Sequence, residues 1–393
     1  MVRSPLALAA AGVFLFAPAS IQAQAEGDGQ VHRSAFHDYT VTTVAEGLVH
    51  PWSVAFLPGG DMLITERPGR LRIVRDGTLL PDPVEGVPDV LFEGQGGLLD
   101  VVPHPDFASN NLIYMSFSKP VGDGSTATTA VVRGTFENDR FELVDEIFEA
   151  VSEGRAGHYG SRLAFDPEGY LYVTVGDRQI PPVGDAEELA AHPAQDVSNH
   201  HGTLNRLMDD GTVPSDNPFA QDSGARPEIW SYGHRNSQGL AIHPETGQPW
   251  LTEHGPQGGD EVNIPQAGSN YGWPVIGYGV NYRSGTAIHS ATHQDGMEQP
   301  AHIWVPSIGT SGLAFYTGDQ FPGWKGNLLA GGLSGQQLAR LSLYGDEITT
   351  EETLVNGLGR IRDVRQGPDG YIYLALDDRA GDPSSVVRLE PAN

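Results

Sequence analysis

One pattern recurs six times along this chain: a small apolar pair, a turn built from Pro, Asp and Gly, then an aromatic or aliphatic segment ending in a polar residue. The copies are AFLPGGDMLITER (55–67), VVPHPDFASNNLIYMSFS (101–118), AFDPEGYLYVTVGDR (164–178), AIHPETGQPWLTEHG (241–255), AFYTGDQFPGWKGNLLAGG (314–332) and VRQGPDGYIYLALDD (364–378). Each reads as two strands joined by a Gly-containing hairpin turn, and the alternation of Tyr170, Leu171, Tyr172 and Val173 suits a half-buried strand. The copies begin about 45–75 residues apart, which exceeds one hairpin and fits a four-stranded blade with variable loops. Sheets of this size cannot bury both faces alone, so six of them cover one another if arranged radially around a channel. The expected fold is therefore all-β, a six-bladed β-propeller with four-stranded blades. A β-sandwich pair or an open solenoid would use the same strands, but radial closure leaves only short edges. Helical periodicity is weak apart from a possible turn near 186–191.

No Pro/Ser-rich linker separates the copies, so residues 26–393 read as one domain. Two long inserts, 178–222 and 253–302, interrupt the pattern, and long loops on one face of a rigid scaffold are where sites tend to be built. Residues 1–25 open with one Arg, run through an apolar stretch and end in Ala23-Gln24-Ala25, which is the layout of a secretory signal peptide. A membrane anchor is the other reading, but the apolar run is short for a span, and no later segment holds about 18 uninterrupted apolar residues. A periplasmic or secreted protein without stable membrane insertion is expected.

Composition then narrows the chemistry. Without cysteine there is no disulfide framework, zinc–thiolate site, iron–sulfur cluster or thiol nucleophile. A net charge of -27 repels phosphate backbones and anionic lipid, so nucleic acid is not an expected partner. Lys119 and Lys325 are the only lysines, so the basic side chains are almost all Arg.

Five segments could carry chemistry. His158 lies in GRAGHYGSR, flanked by Gly, where a neutral imidazole can act as a general base or simply donate a structural hydrogen bond. SYGHRNSQGLAIHP (231–244) sets Arg235 and Asn236 in a turn before the fourth copy, and that guanidinium can stabilise developing negative charge or tie blades together. TEHGPQGGDEVNIPQAGSNYGWP (252–274) mixes Glu253, Asp260 and Glu261 with glycines whose carbonyls are open, the donor mixture that calcium takes, although an acidic surface loop would look similar. GQGGLLDVVPHP (94–105) places Gln95 where the backbone can approach a ligand closely. GRIRDV (359–364) puts Arg360 and Arg362 two apart on a strand, facing one side, ready for an anionic partner or for some of the chain's many carboxylates.

Taken together, these strings resemble the soluble quinoprotein dehydrogenases, the pyrroloquinoline-quinone (PQQ)-dependent glucose/sorbosone dehydrogenase family, and in particular its aldose sugar dehydrogenase branch. The likeness runs from about Leu48 to Leu389 and is carried by HPWSVAFLPGGDMLITER, GQGGLLDVVPHP, YGHRNSQGLA, TEHGPQGGDEVN, NYGWP and GRIRDVRQGPDGYIY. It implies a six-bladed propeller with PQQ at the top of its channel, under long loops. By this resemblance Gln95, His158, Arg235, Asn236, Arg360 and Arg362 contact the cofactor, and Gly255 and Pro256 give carbonyls to a Ca2+ that touches the quinone. Glu261 and Tyr271 match a second, structural calcium, and His158 matches the catalytic base. The implied reaction oxidises the anomeric carbon of an aldose to a lactone, with His158 taking the hydroxyl proton and Arg235 steadying charge on the quinone oxygen. Electrons would pass to an external acceptor, a soluble cytochrome or a membrane quinone, and the protein would be a monomer or homodimer.

Two positions depart from the family pattern. A cofactor-binding Lys is common in a GSLK-like string, but here the chain reads Gly331-Gly332-Leu333-Ser334. Ser334 can hydrogen-bond the cofactor without contributing charge, and the loss of one charge-assisted contact costs about 1.5–3 kcal/mol. Gly157 stands before His158 where the glucose-oxidising branch carries an acid. Two other functions use the same scaffold: a calcium-dependent lactonase or esterase in which a His activates water, and a non-catalytic propeller that has lost the quinone.

Overall fold

The computed structural model describes residues 29–392, so the secretory signal read at 1–25 lies outside the described residues. Twenty-four strands form six four-stranded antiparallel sheets. Blade 1 is β2 (Pro51–Phe56), β3 (Met62–Glu66), β4 (Arg70–Arg75) and β5 (Thr78–Leu79). Blades 2 to 5 follow in chain order, opening on β6 (Leu98–Pro103), β10 (Leu163–Phe165), β14 (Ser237–Ile242) and β18 (Thr310–Phe315). Blade 6 runs β22 (Arg360–Gln366), β23 (Ile372–Asp377) and β24 (Ser384–Pro391), and its fourth strand is β1 (Tyr39–Leu48) from the other end of the chain. The six sequence copies coincide with the first two strands of the six blades.

The alternation of side chains explains why the sheets stack. Successive residues of a strand point to opposite faces, and here both faces are covered. Leu171 and Val173 pack toward blade 2 with Val102, Tyr114 and Val131, while Tyr172 between them packs toward blade 4 with Leu240 and Leu251. The same division recurs between blades 4 and 5 around Trp250 and Leu313, and between blades 5 and 6 around Leu329 and Leu374. Six apolar layers therefore stand between six sheets. β1 completes the last of them: Tyr39 joins the layer between blades 5 and 6, while Ala45 and Leu48 join that between blades 6 and 1. Its ladder with β24 runs from Tyr39 opposite Pro391 to Leu48 opposite Ser384.

The innermost strands of successive blades pack against each other in a closed ring. Five of these six strands are bulged: β2 between Pro51 and Ser53, β6 between Leu98 and Val101, β14 between Ser237 and Gly239, β18 between Thr310 and Leu313, and β22 between Ile361 and Asp363. A bulge adds an unpaired residue and re-aims its side chain. The added residues include Trp52, Gln238 and Arg362, and all three line the large cavity described next. Regular alternation is thus not the reason that Arg360 and Arg362 share a side, as the sequence spacing suggested. Arg360 is in register opposite Asp377, and Arg362 reaches the same cavity through the bulge.

Among the described residues no helix is long and apolar enough to cross a membrane. Because β1 holds the ring shut, Leu48→Ala, at a fully buried site, should cost about 2–5 kcal/mol. Tyr344→Ala, at a residue 81% exposed, should stay within about 0.5 kcal/mol. Urea unfolding of the two variants, compared by midpoint, checks this; equal midpoints would show that closure does not limit stability.

Candidate cofactor and catalytic site

One end of the ring opens into a cavity of about 630 Å3, within the range of small-molecule sites. Nine of the residues singled out from the sequence line it: Gln95, His158, Arg235, Asn236, Gly255, Pro256, Ser334, Arg360 and Arg362. Glu261 and Tyr271 do not reach it. They face a second, much smaller cavity of about 20 Å3, which shares Arg235, His254, Gly255 and Pro256 with the first.

His158 is buried and held at three points. Its N–H donates to Gln95 Oε1 at 2.8 Å, its backbone sits at a left-handed φ of 49°, and its Nδ1 lies 2.6 Å from Asp177 Oδ1. Asp177, two residues beyond β11 (Leu171–Val175), also accepts the Trp273 indole N–H at 2.8 Å and the Gln179 N–H at 2.9 Å. Burial pushes the Asp177 carboxyl up, but His158 and Arg235 more than offset this and hold it below the usual range. An ionised carboxylate only accepts, so Nδ1 carries the hydrogen and Nε2 keeps its lone pair. Burial lowers the affinity of His158 for a second proton, Asp177 opposes and Arg235 adds to the effect, with a net shift downward. The ring is thereby a neutral base with one open nitrogen. Neither Asp177 nor Trp273 was singled out from the sequence, although both fall inside quoted strings.

Arg235 donates Nη1 to the carbonyls of His254 at 3.1 Å and Gly255 at 2.7 Å, and lies over the Trp273 ring. Asn236 Oδ1 accepts from Gly160 N–H at 3.1 Å, which fixes the amide on the cavity wall. Arg362 donates to Gln238 Oε1 at 2.7 Å, and the same oxygen lies 3.1 Å from His254 Nε2. Arg360 and Arg362 approach a single carboxylate, Asp377, at 3.6 and 3.7 Å, and Asp377 also holds His50. Burial lowers the Arg362 pKa to about 10, with Asp377 opposing and Arg67 and Arg360 adding to the strain. The Nε atoms of Arg235, Arg360 and Arg362 are all buried without a hydrogen-bond partner. Three guanidiniums with orphaned donors around one cavity fit an anionic ligand with several acceptor groups.

The acidic segment 252–274 is divided by the fold. Glu253 accepts from Arg235 N–H, His234 Nδ1 and Asn263 Nδ2, and Asp260 accepts from the N–H groups of Gly255, Gly309 and Thr310. Both serve as anchors between loops; of the three acids grouped in the sequence, Glu253 and Glu261 share the small cavity, whereas Asp260 lines the large one. Glu261 sits opposite Glu253 in the ladder, and burial together with Glu253 pushes it well above the usual carboxylate range. A buried and a half-buried carboxylate beside a cavity of ionic size are a fit for a hard cation. Among the described residues no three His, Asp or Glu side chains converge as a metal site, so such a cation would draw on carbonyl oxygens. The Tyr271 hydroxyl is taken by Ile264 O and Gln266 N–H, which leaves its backbone carbonyl. A Cβ at Gly255 would stand 2.2–2.3 Å from the carbonyls of Gly258 and Gly259, so only glycine lets this loop fold back on itself.

The second departure has a structural counterpart. A Cβ at Gly157 would fall 2.4 Å from the Gln179 amide, so a glutamine from the loop after β11 occupies the space that a side chain at 157 would need.

Titration of the apoprotein by histidine NMR should place His158 below the free imidazole value of about 6.5. Removing the charge in Asp177→Asn should lower it further, since that carboxylate raises it. An upward shift in the variant would contradict the assigned pair.

A family model described as Glucose / Sorbosone dehydrogenase matches residues 48–388. The Escherichia coli K12 protein named aldose sugar dehydrogenase YliI is 44% identical over 360 residues, covering 90% of this chain and 93% of its own. A crystal structure titled glucose dehydrogenase superposes with a TM-score of 0.83 at 46% identity, covering 90% and 99% of the two chains. The PQQ-bound form of an aldose sugar dehydrogenase from Streptomyces coelicolor superposes with a TM-score of 0.71 at 29% identity, covering 90% and 98%.

Proposed function

This chain belongs to the glucose/sorbosone dehydrogenase family, and from that premise we propose that it is an aldose sugar dehydrogenase that works with PQQ and Ca2+. The observation that carries this reading is the meeting of the His158–Asp177 pair with three orphaned guanidiniums across one cavity. Sugar dehydrogenase relatives and a PQQ-bound neighbour support it. A water-activating lactonase has no use for Arg235, Arg360 and Arg362 arranged in this way.

Gln95, Asn236, Ser334, Arg360 and Arg362 would hold the cofactor, whose contribution when bound is an acceptor for two electrons and a hydrogen nucleus from the anomeric carbon. A calcium ion on the carbonyls of Gly255 and Pro256 would supply Lewis acidity there, and one beside Glu261 and Tyr271 would neutralise the Glu253 and Glu261 carboxylates. The chain's own part is the proton. His158 Nε2 takes it from the anomeric hydroxyl while Asp177 holds the opposite side of the ring and steadies the imidazolium that forms. Arg235, fixed by the two carbonyls it donates to, keeps a positive charge beside the reacting end of the cavity. The sugar leaves as a lactone, and the electrons pass to an external acceptor. Residues 1–25 would direct export, and 26–393 would act as one domain outside the cytoplasm.

The test is titration of metal-stripped mature protein with PQQ, with and without calcium, followed by cofactor absorbance and aldose-dependent dye reduction. Turnover should require both, and His158→Ala should lower it by about 100-fold or more while leaving PQQ binding measurable. Saturable calcium binding without quinone binding would overturn the oxidoreductase reading and favour the lactonase.

A further inference from the structure

The second strands of blades 3 to 6 end at the cavity, and the residue two positions beyond each strand recurs at the site. Beyond β11 it is Asp177, beyond β15 (Pro249–Glu253) Gly255, beyond β19 (Leu328–Gly332) Ser334, and beyond β23 (Ile372–Asp377) Arg379. Gly255, Ser334 and Arg379 line the large cavity, and Asp177 holds its histidine. In this set blade 5 offers a neutral hydroxyl, and blade 6 offers a cation that nothing in the sequence pattern marked out.

Arg379 is exposed at the rim, and among the described residues no carboxylate is paired with it. Its neighbour Asp378 is turned onto its own loop, where it accepts from the N–H groups of Ala380 and Asp382. Deeper in, Arg360 and Arg362 already share Asp377. The cavity lining as a whole carries five guanidiniums, those of Arg67, Arg235, Arg360, Arg362 and Arg379, against the two carboxylates of Asp260 and Asp377. Five less two leaves three positive charges, in a chain whose net charge is -27. Among the side chains that line the cavity, before the charge of any bound calcium is added, Arg379 supplies one of those three positive charges, and it is the one with no carboxylate or carbonyl partner. Arg67 is committed to the backbone, since it donates to the carbonyls of Gly96 at 3.1 Å and Gly94 at 2.5 Å and so clamps the loop that presents Gln95.

Resting on the reading that this cavity takes a tricarboxylate quinone, we infer that Arg379 is a cofactor ligand. It pairs with one carboxylate of the quinone and supplies from blade 6 the cation that Ser334 does not supply from blade 5.

The inference is tested by equilibrium binding of PQQ to calcium-loaded apoprotein, read from cofactor absorbance and quenching of tryptophan fluorescence, since Trp52 lines the cavity. Arg379→Gln should raise Kd by about tenfold, and Arg379→Lys should recover most of it. Adding Ser334→Lys to the Arg379→Gln variant should restore binding by returning a cation one blade away. The difference between wild type and Arg379→Gln should shrink as salt rises from about 0.05 to 0.5 M, because an exposed charge is screened. Arg379 lies on an exposed turn, so an unchanged thermal midpoint accompanies these effects. A Kd for Arg379→Gln within about twofold of wild type at low salt overturns the assignment of Arg379. Failure of the wild-type protein to bind PQQ overturns the functional reading itself, a result that no variant is needed to recognise.

Discussion

Six sheets arranged radially leave a space on the axis that apolar side chains do not fill here, and its occupants determine what the cavity above can be. In this protein the axis is filled by paired charge. Arg162 lies 2.9 Å from Asp363 and 3.4 Å from Asp100, and Arg365 contacts both carboxylates at 2.9 Å. The carboxylates are capped in turn: Ser53 Oγ and the Leu163 N–H donate to Asp100, and the Val54 N–H donates to Asp363. These residues come from the inner strands of blades 1, 2 and 6 and the entry to blade 3, so one network ties together elements more than 200 residues apart. Buried ion pairs add little net stability, but loss of one member leaves an uncompensated charge, which costs several kcal/mol. The network is best understood as fixing how the inner strands sit against one another.

That fixing reaches the site through Trp52 and Gln238. The Arg162 guanidinium lies 4.1 Å from the centre of the Trp52 ring and donates Nε to Gln238 O, while the Gln238 side chain holds Arg362 and His254. The cavity floor is thus an extension of the axial network, and its guanidiniums are positioned before any ligand arrives. Preorganised cations of this kind attract an anion without reorganisation at the moment of binding. The strongly negative surface does not cancel them, because charges beyond about 8 Å through solvent are screened at physiological salt.

What the sequence made legible follows the same division. The six copies correspond to the two inner strands of each blade, where alternation is strong because both faces are buried, as at Leu171–Val175. Outer strands were not read individually. β9 (Arg140–Glu149) and β21 (Glu347–Leu354) are mostly exposed, so their polar residues carry no alternating apolar signal. Closure by β1 was invisible because its partner β24 lies at the far end of the chain, and pairing over such a separation has no local signature. Candidate ligands were found where composition was unusual, as with Arg360 and Arg362, although a bulge and not the strand period brings Arg362 to the cavity. Asp177 was missed since Gly-Asp-Arg after a strand reads as an ordinary turn. Its correspondence with Gly255 and Ser334 emerges only from the strand ends, two residues past β11, β15 and β19. Glu253, Asp260 and Glu261 were grouped because sequence cannot tell that Asp260 lines the large cavity while Glu253 and Glu261 line the small one.

The two kinds of site residue differ in how freely they can move around the ring, and the reason is the range of the force each uses. The general-base role proposed for His158 needs Nδ1 and a carboxylate oxygen within hydrogen-bond distance and in line, and Asp177 meets that need from the exit of blade 3. Charge compensation falls off far more slowly with distance and has no preferred angle. A cation at the exit of blade 6 can therefore do for an anionic ligand much of what one at the exit of blade 5 would do, provided that the cavity wall between them is common to both. The pseudo-symmetry of the propeller supplies that common wall. The second strands of blades 4, 5 and 6 each send the residue two positions beyond them to the cavity, so a charge missing from one exit can be supplied at another without altering the fold that holds His158.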